Sequence, residues 1–225
     1  MTQAGQGGGG AVGQDERLPV ITALVPDPQR PGTIRLDLDE ARFASVPAEV
    51  VMVEGLSVGR EVGPALQARL TVEADIEGAY RTALRALERR PFARADLARR
   101  LLRKAHARPA VESALQRLAG LGMLDDAAFA RNYVETRATR GRGPARLTRD
   151  LLAMGVDRGI IDRALAAHGA GAGENREVPL ALAAKRAAQL GDLPRTAKRR
   201  RLLAYLARRG FTGREVSEMV AKVVG

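Results

Sequence analysis

Arginine side chains at repeating positions are the residues of this chain whose types and spacing could do the most chemistry. Arg99 and Arg149 occupy equivalent positions of an internal repeat, as do Arg103 and Arg208. A guanidinium carries a planar set of donors that matches phosphate and carboxylate groups. We therefore predict a surface that binds a phosphate-bearing or acidic partner. The residues assigned to it are Arg99, Arg103, Arg137, Arg140, Arg142, Arg146, Arg149, Lys198, Arg199, Arg200, Arg201 and Arg208.

Aromatic residues are too few among these arginines to supply base stacking. The chain contains 3 Tyr, 4 Phe and no Trp, whereas proteins that bind single strands tightly stack bases on aromatic side chains. Contact with a phosphate backbone or an acidic protein surface is therefore favoured over the reading of bases. If about six arginines met phosphates, affinity would fall with salt with a log–log slope of roughly −4 to −5.

The residue patterns of enzymes are weak in this sequence. It has no cysteine, no P-loop motif and no nucleophile elbow. We interpret Gly141-Arg142-Gly143 as a helix–helix turn, and His106 and His168 as helix-end residues rather than metal ligands. The carboxylates of Asp125 and Asp126 precede an apolar helix, so a helix N-cap is favoured over a metal site. We predict a non-enzymatic protein without a cofactor or metal.

An apolar pattern that occurs three times positions these arginines. Leu, Ile or Val stands at offsets 0, 4, 14 and 18 in copies that begin at Leu97, Leu147 and Leu202. A spacing of four, a break and four again predicts two short helices joined by a turn. Such a unit cannot bury both stripes alone, so neighbouring units must share a core. The predicted turns are Ala105-His106, Gly155-Val156 and Gly210-Phe211.

The sequence predicts a mainly α fold of three tandem three-helix, helix-turn-helix-like repeats in an elongated array. A small N-terminal segment precedes them, and alternating apolar residues at 21–25 and 33–38 predict a β-hairpin within it. The predicted segments are a disordered tail at 1–16, a hairpin-containing cap at 17–71, a first repeat at 72–122, a second at 123–168, a linker at 169–178 and a third repeat at 179–225.

Charge separates the front of the chain from the repeats. Residues 1–78 contain 6 Lys and Arg against 12 Asp and Glu, and residues 79–225 contain 31 against 14. A basic helical array indicates a partner that carries phosphates or a strongly acidic surface. No apolar run approaches 18 residues and no signal-peptide pattern opens the chain. We expect a cytoplasmic protein that contacts no membrane.

A motif at the start of the second repeat resembles a known family. Gly122-Met123-Leu124-Asp125-Asp126 followed by Phe129-Ala130 and Tyr133-Val134 is similar to the signature G-x-L-[ND]-D-x-x-[FY]-A-x-x-[YF] of the RecX regulators of the bacterial RecA recombinase. Arg137, Gly141, Gly143, Arg146, Leu151 and Gly155 fit the stretch that follows it. The residues of the motif expected to be structural are Gly122, Leu124, Asp125, Asp126, Phe129, Gly143 and Gly155.

The resemblance covers about residues 72–224 and implies both a fold and a role. The implied fold is a curved array of three tandem three-helix units, and the implied site of action is the helical groove of the RecA–DNA filament. There the protein would restrain ATP hydrolysis, strand exchange and filament extension. RecA is then the main partner, single- and double-stranded DNA are secondary and nonspecific partners, and a monomer is favoured.

Two other functions stay open at this point. A helix-turn-helix protein acting directly on DNA is the main alternative, because each unit ends in two short helices around a turn. The candidate recognition helices near 158–167 and 213–223 contain few Asn or Gln side chains suited to base edges. A general basic adaptor or RNA-binding protein is the second alternative.

Overall fold

A computed structural model describes residues 17–171 and 177–225 of the chain. The predicted disordered tail at 1–16 and the middle of the predicted linker, 172–176, lie outside the described residues. The chain forms two compact units that divide between Glu77 and Gly78. Helix α2 crosses this division, since it begins at Pro64 and ends at Leu87.

The N-terminal unit contains an antiparallel sheet of three strands in the order β1-β2-β3. These are β1 (Ile21–Pro26), β2 (Thr33–Leu38) and β3 (Ala41–Pro47). Helix α1 (Ala48–Val53) follows the sheet. The predicted hairpin corresponds to β1 and β2, and β3 was not predicted.

The turn between β2 and β3 explains why the sequence did not reveal the third strand. Asp39 and Glu40 both have positive φ, 46° and 65°, as tight hairpin turns require, but such turns usually carry Asn-Gly or Asp-Gly. Residues at the start of β1 supply the missing support: the N–H of Val20, which precedes β1, donates to Asp39 Oδ1 at 3.1 Å, and the Glu40 N–H donates to Thr22 Oγ1 at 2.9 Å. The turn therefore depends on contacts from outside its own sequence.

The C-terminal unit contains the repeats, each with three helices. The first uses the end of α2 with α3 (Arg94–Arg103) and α4 (Arg108–Gly120). The second uses α5 (Asp126–Ala138), α6 (Pro144–Met154) and α7 (Arg158–Gly171). The third uses α8 (Glu177–Ala188), α9 (Arg195–Arg209) and α10 (Arg214–Val224). The mainly α, three-repeat fold predicted from the sequence is confirmed.

The apolar pattern forms the cores of the three repeats. Ten of its twelve positions are buried, and Leu165 and Val216 are half-buried. The first two cores exchange residues: Leu124, which opens the second repeat, packs in the first core, and Ala93, which precedes α3, packs in the second. This exchange is the sharing between neighbours that the pattern predicted.

Candidate interaction surface

The two aspartates of the motif hold the ends of two different helices. The Asp125 carboxylate accepts from the backbone N–H groups of Ala127 and Ala128, at 2.8 and 2.9 Å, and caps α5 as predicted. The Asp126 carboxylate accepts at 2.8 Å from the N–H of Arg94, the first residue of α3. Since the α3 N-cap residue Ala93 makes no side-chain cap, Asp126 supplies that cap from the next repeat.

Charge on Asp125 is favoured by its surroundings. The hydrogen bond from the Ala128 N–H, then that from Ala127 and the positive charge of Arg131, lower the pKa of the Asp125 carboxyl below its ordinary value. The carboxylate is also at the N-terminal end of α5, where the helix dipole favours negative charge. Among the described residues, no group of three or more His, Cys, Asp or Glu side chains that could hold a metal ion is found.

Each middle helix, α3, α6 or α9, ends in the same turn. A residue four positions after the second leucine of the pattern adopts positive φ: Ala105 at 64°, Gly155 at 83° and Gly210 at 92°. The next N–H donates back to the carbonyl of that leucine, for example from Phe211 to Leu206 at 3.0 Å. This is the left-handed cap that commonly ends helices, and it confirms the equivalence of the three predicted turns.

The first junction brings the C-terminal end of α6 to the N-terminal end of α3. A Cβ placed on Gly155 would lie 2.5 Å from the Ala95 Cβ, so the two helix ends are in direct contact. The Arg99 guanidinium donates to the Ala153 carbonyl at 2.9 Å and pairs with Asp96 at 3.4 Å. Arg99, one of the predicted binding residues, therefore also joins the first repeat to the second.

The second junction repeats this end-to-end arrangement between α9 and α6. The Gly143 N–H donates to the Arg209 carbonyl at 2.7 Å, and the Ala145 N–H donates to the Gly210 carbonyl at 3.2 Å. A Cβ on Gly210 would strike the backbone N of Arg146. At this junction, backbone carbonyls at the end of α9, rather than a carboxylate from the next repeat, accept from N–H groups at the start of α6.

Two of the predicted binding arginines belong to an ion-pair network inside the second repeat. Arg142 contacts Asp150 at 2.7 Å and donates to the Tyr133 hydroxyl at 3.0 Å. Arg146 pairs with the same Asp150 at 3.2 Å. Arg137 is half-buried, with its guanidinium 5.5 Å from the centroid of the Tyr133 ring. Tyr133 is part of the motif that the sequence revealed, but Asp150 was not singled out from the sequence.

Most of the other predicted binding residues are exposed. Within residues 17–171 and 177–225 these exposed arginines make no ion pair, and Lys198 is half-buried without one. A guanidinium without an internal carboxylate keeps all its donors for a partner. The exposed, unpaired arginines are Arg103, Arg140, Arg149, Arg199, Arg200, Arg201 and Arg208.

The remaining glycine and histidine candidates occupy structural positions. Gly141 has φ +77°, and the N–H of Gly143 is used by α9, so this segment is a helix–helix turn. The His106 ring lies 3.3 Å from the Thr82 hydroxyl. No helix within the described residues is long and apolar enough to cross a membrane.

Comparison with known proteins agrees with this arrangement. Residues 125–165 match the family model described as RecX, second three-helix domain. A protein of Halorhodospira halophila named "Regulatory protein RecX" is 37% identical over 145 residues, which are 62% of this chain and 84% of that protein. The chain belongs to the RecX family. Another RecX protein, from Mycobacterium ulcerans, is 36% identical over 145 residues, and the matched region spans 83% of that protein.

Solved structures of RecX proteins share the fold. The crystal structure of a regulatory protein RecX superposes with a TM-score of 0.74 at 24% identity and covers 91% of this chain and 100% of that one. RecX from Lactobacillus salivarius gives a TM-score of 0.59 at 21% identity and covers 67% of this chain. At these identities the likeness concerns the fold.

Proposed function

We propose that this chain is a non-enzymatic regulator of RecA. It binds the RecA nucleoprotein filament in its helical groove and inhibits ATP hydrolysis, strand exchange and filament extension. Similarity to proteins named "Regulatory protein RecX" supports this role. The protein works as a cytoplasmic monomer, and it takes part in homologous recombination and DNA repair.

The repeated junction is the observation that carries the proposal. Two consecutive junctions join a C-terminal helix end to an N-terminal helix end, through Gly155 in one and Gly210 in the other. Units joined twice in the same way suit a partner that itself repeats, as a filament does. Exposed, unpaired arginines on the middle helices supply the complementary charge for the acidic groups of protomers or for DNA.

Direct, sequence-specific action on DNA is less well supported. The helices that would enter a major groove, α7 and α10, form ion pairs within the same helix. Arg158 pairs with Asp162 at 3.0 Å, and Arg214 pairs with Glu218 at 2.7 Å. Arginine surfaces that meet phosphates position a protein without reading sequence. We therefore assign DNA contact a nonspecific, secondary role.

Inhibition of the ATPase of RecA on single-stranded DNA tests the proposal. We expect inhibition at ratios well below one chain per RecA protomer, because a regulator of the filament need not cover it. Inhibition that begins only when the chain can coat the DNA would instead indicate a basic competitor for the strand. Unchanged hydrolysis, strand exchange and filament length at saturation would overturn the proposal. Preference for one duplex sequence over random DNA of equal length would favour the helix-turn-helix alternative.

A further inference from the structure

A shallow apolar groove of about 410 Å³ lies in the N-terminal unit, between α1 and the first half of α2. We call it the α1–α2 groove. Its apolar walls are Val50 and Val53 from α1 and Ala68 and Val72 from α2. All of its lining residues belong to the N-terminal unit.

The two helices direct only part of their apolar residues into the core of this unit. Leu66 and Leu70 of α2 are buried there, but Val72 lies on another side of the helix and is 50% exposed. On α1, Val53 is 85% exposed, and its neighbour Met52 is 73% exposed. Contiguous apolar side chains left in water mark interaction sites in soluble proteins. The α1–α2 groove therefore has the character of an interaction surface.

Carboxylates surround the groove. Glu49 and Glu73 line it and form no ion pair within the described residues. Glu54 also lines it, but this carboxylate accepts two hydrogen bonds from Arg69, at 3.0 and 2.9 Å. Since the charges of Glu54 and Arg69 cancel each other, the lining keeps two uncompensated negative charges.

The sign of this charge selects the class of partner. Residues 17–77 contain 6 Lys and Arg against 10 Asp and Glu, so the unit repels the phosphates of nucleic acids and of anionic lipids. A partner that fits must instead combine apolar side chains with Lys or Arg, because charge complementarity favours the correct partner over others. The walls are two helices, and an apolar groove of this kind typically takes the apolar face of an amphipathic helix.

We propose that the α1–α2 groove binds a basic amphipathic α-helix of another protein. Apolar side chains at helical spacing on that helix lie against Val53 and Val72. Its Lys or Arg side chains pair with Glu49 and Glu73. The inference goes beyond the proposed function, because it assigns a protein contact to the N-terminal unit and not to the basic repeats.

Binding of a designed peptide to the full chain tests this assignment. The probe is a peptide of Leu and Lys, about 14 residues or four helical turns long, with Leu along one helical face. A peptide of the same composition in scrambled order, which has no apolar face, is the control. Fluorescence anisotropy measures both affinities, and circular dichroism follows helix content. We expect the amphipathic peptide to bind about tenfold more tightly than the scrambled one and to gain helix content on binding.

Two exposed valines provide matched variants of the chain. Val53→Lys places a positive charge in the apolar wall and should weaken the amphipathic peptide about tenfold or more, since binding would desolvate the new charge. Val58→Lys adds the same charge at a valine that is 63% exposed and lies outside the lining. It should change the affinity less than about twofold, because salt screens a distant charge. Thermal unfolding checks that both variants remain folded.

The rim carboxylates are tested in the same way. Glu49→Gln with Glu73→Gln should weaken the amphipathic peptide about fivefold at low salt and less at high salt. Glu40→Gln with Glu61→Gln removes the same charge from exposed positions outside the lining and should change the affinity little.

Several results would overturn the proposal. These are absence of peptide binding, equal losses for Val53→Lys and Val58→Lys, and binding without a gain of helix content. A dimer of the chain that Val53→Lys abolishes, measured by sedimentation, would assign the groove to a second copy and would also overturn it. The peptide mixtures contain neither RecA nor DNA, so such failures leave the regulatory proposal intact.

Discussion

Asp125 and Asp126 are neighbours in sequence, but their carboxylates bind the N-terminal ends of different helices. The position of Asp125 before an apolar helix was sufficient to predict its cap. The bond from Asp126 to Arg94 spans 32 residues, and single-sequence patterns carry no such pairing. The acidic pair thus explains both the start of α5 and the attachment of the first repeat to the second.

Removal of the Asp126 carboxylate should loosen the first junction. We expect Asp126→Ala to lower the free energy of unfolding by about 1 kcal/mol, as loss of a cap does. Asp126→Asn keeps an oxygen acceptor and should lose less. Urea unfolding of the three proteins measures both effects. Equal losses for Ala and Asn would show that the hydrogen bond to Arg94 contributes little.

Acid should weaken the cap at Asp125. Because the folded-state pKa of this carboxyl is lowered, the cap adds stability above its ordinary unfolded pKa of about 3.9, and this stability is lost as pH falls through the folded-state value. Asp125→Asn should therefore flatten the dependence of the free energy of unfolding on pH below about 4. Unfolding curves between pH 5 and 2 provide the measurement. A slope identical to that of the parent chain would contradict the assignment.

At the scale of elements, the second junction depends on a glycine at a helix end. Gly210 combines a left-handed φ with contact against the backbone of α6. Turn glycines after apolar stripes were predictable from the sequence, but the contact that forbids a side chain was not. It arises because α6, the middle helix of the preceding repeat, begins where Gly210 ends α9.

Gly210→Ala should separate the third repeat from the second. We expect a loss of roughly 2–4 kcal/mol, from a strained left-handed alanine and from a clash with Arg146. Gly122→Ala is the matched control, because Gly122 also has positive φ but has open space around its Cβ position. Its loss should be about 1 kcal/mol. Hydrogen exchange in α9 and α10 should accelerate only for Gly210→Ala, and equal losses for both would argue against the junction.

At the scale of the whole molecule, the sequence predicted the repeats better than their contacts. The apolar pattern located the three cores, because helical periodicity is a local property. Strand β3 and the Arg142–Asp150 pair were not predicted, since each depends on residues brought together by the fold. The basic surface was predicted in part. Its residues could be named from the sequence repeat, but only the structure separates the arginines that form ion pairs from those that are exposed.

Salt dependence should follow that division. Arg149→Gln with Arg201→Gln removes two exposed, unpaired arginines of the predicted surface, and the log–log slope of nonspecific DNA binding against salt should become less steep by about 1.4–1.8. Arg108→Gln with Arg131→Gln removes the same charge from exposed positions outside that surface and should change the slope little. Titrations from 50 to 300 mM salt compare the two double variants. Equal changes in slope would mean that overall charge, and not this surface, governs the binding.

The alanine at the end of α3 has a consequence for how such an array can lengthen. Ala105 stands where Gly155 and Gly210 allow another helix to approach, and it adopts the same left-handed backbone. A further unit docked on this end would meet a methyl group, so gene duplication can add a unit there only together with a change to glycine. Duplication within the second or third repeat carries the glycine with it. The direction in which this architecture can gain units during evolution is thus set by one side chain.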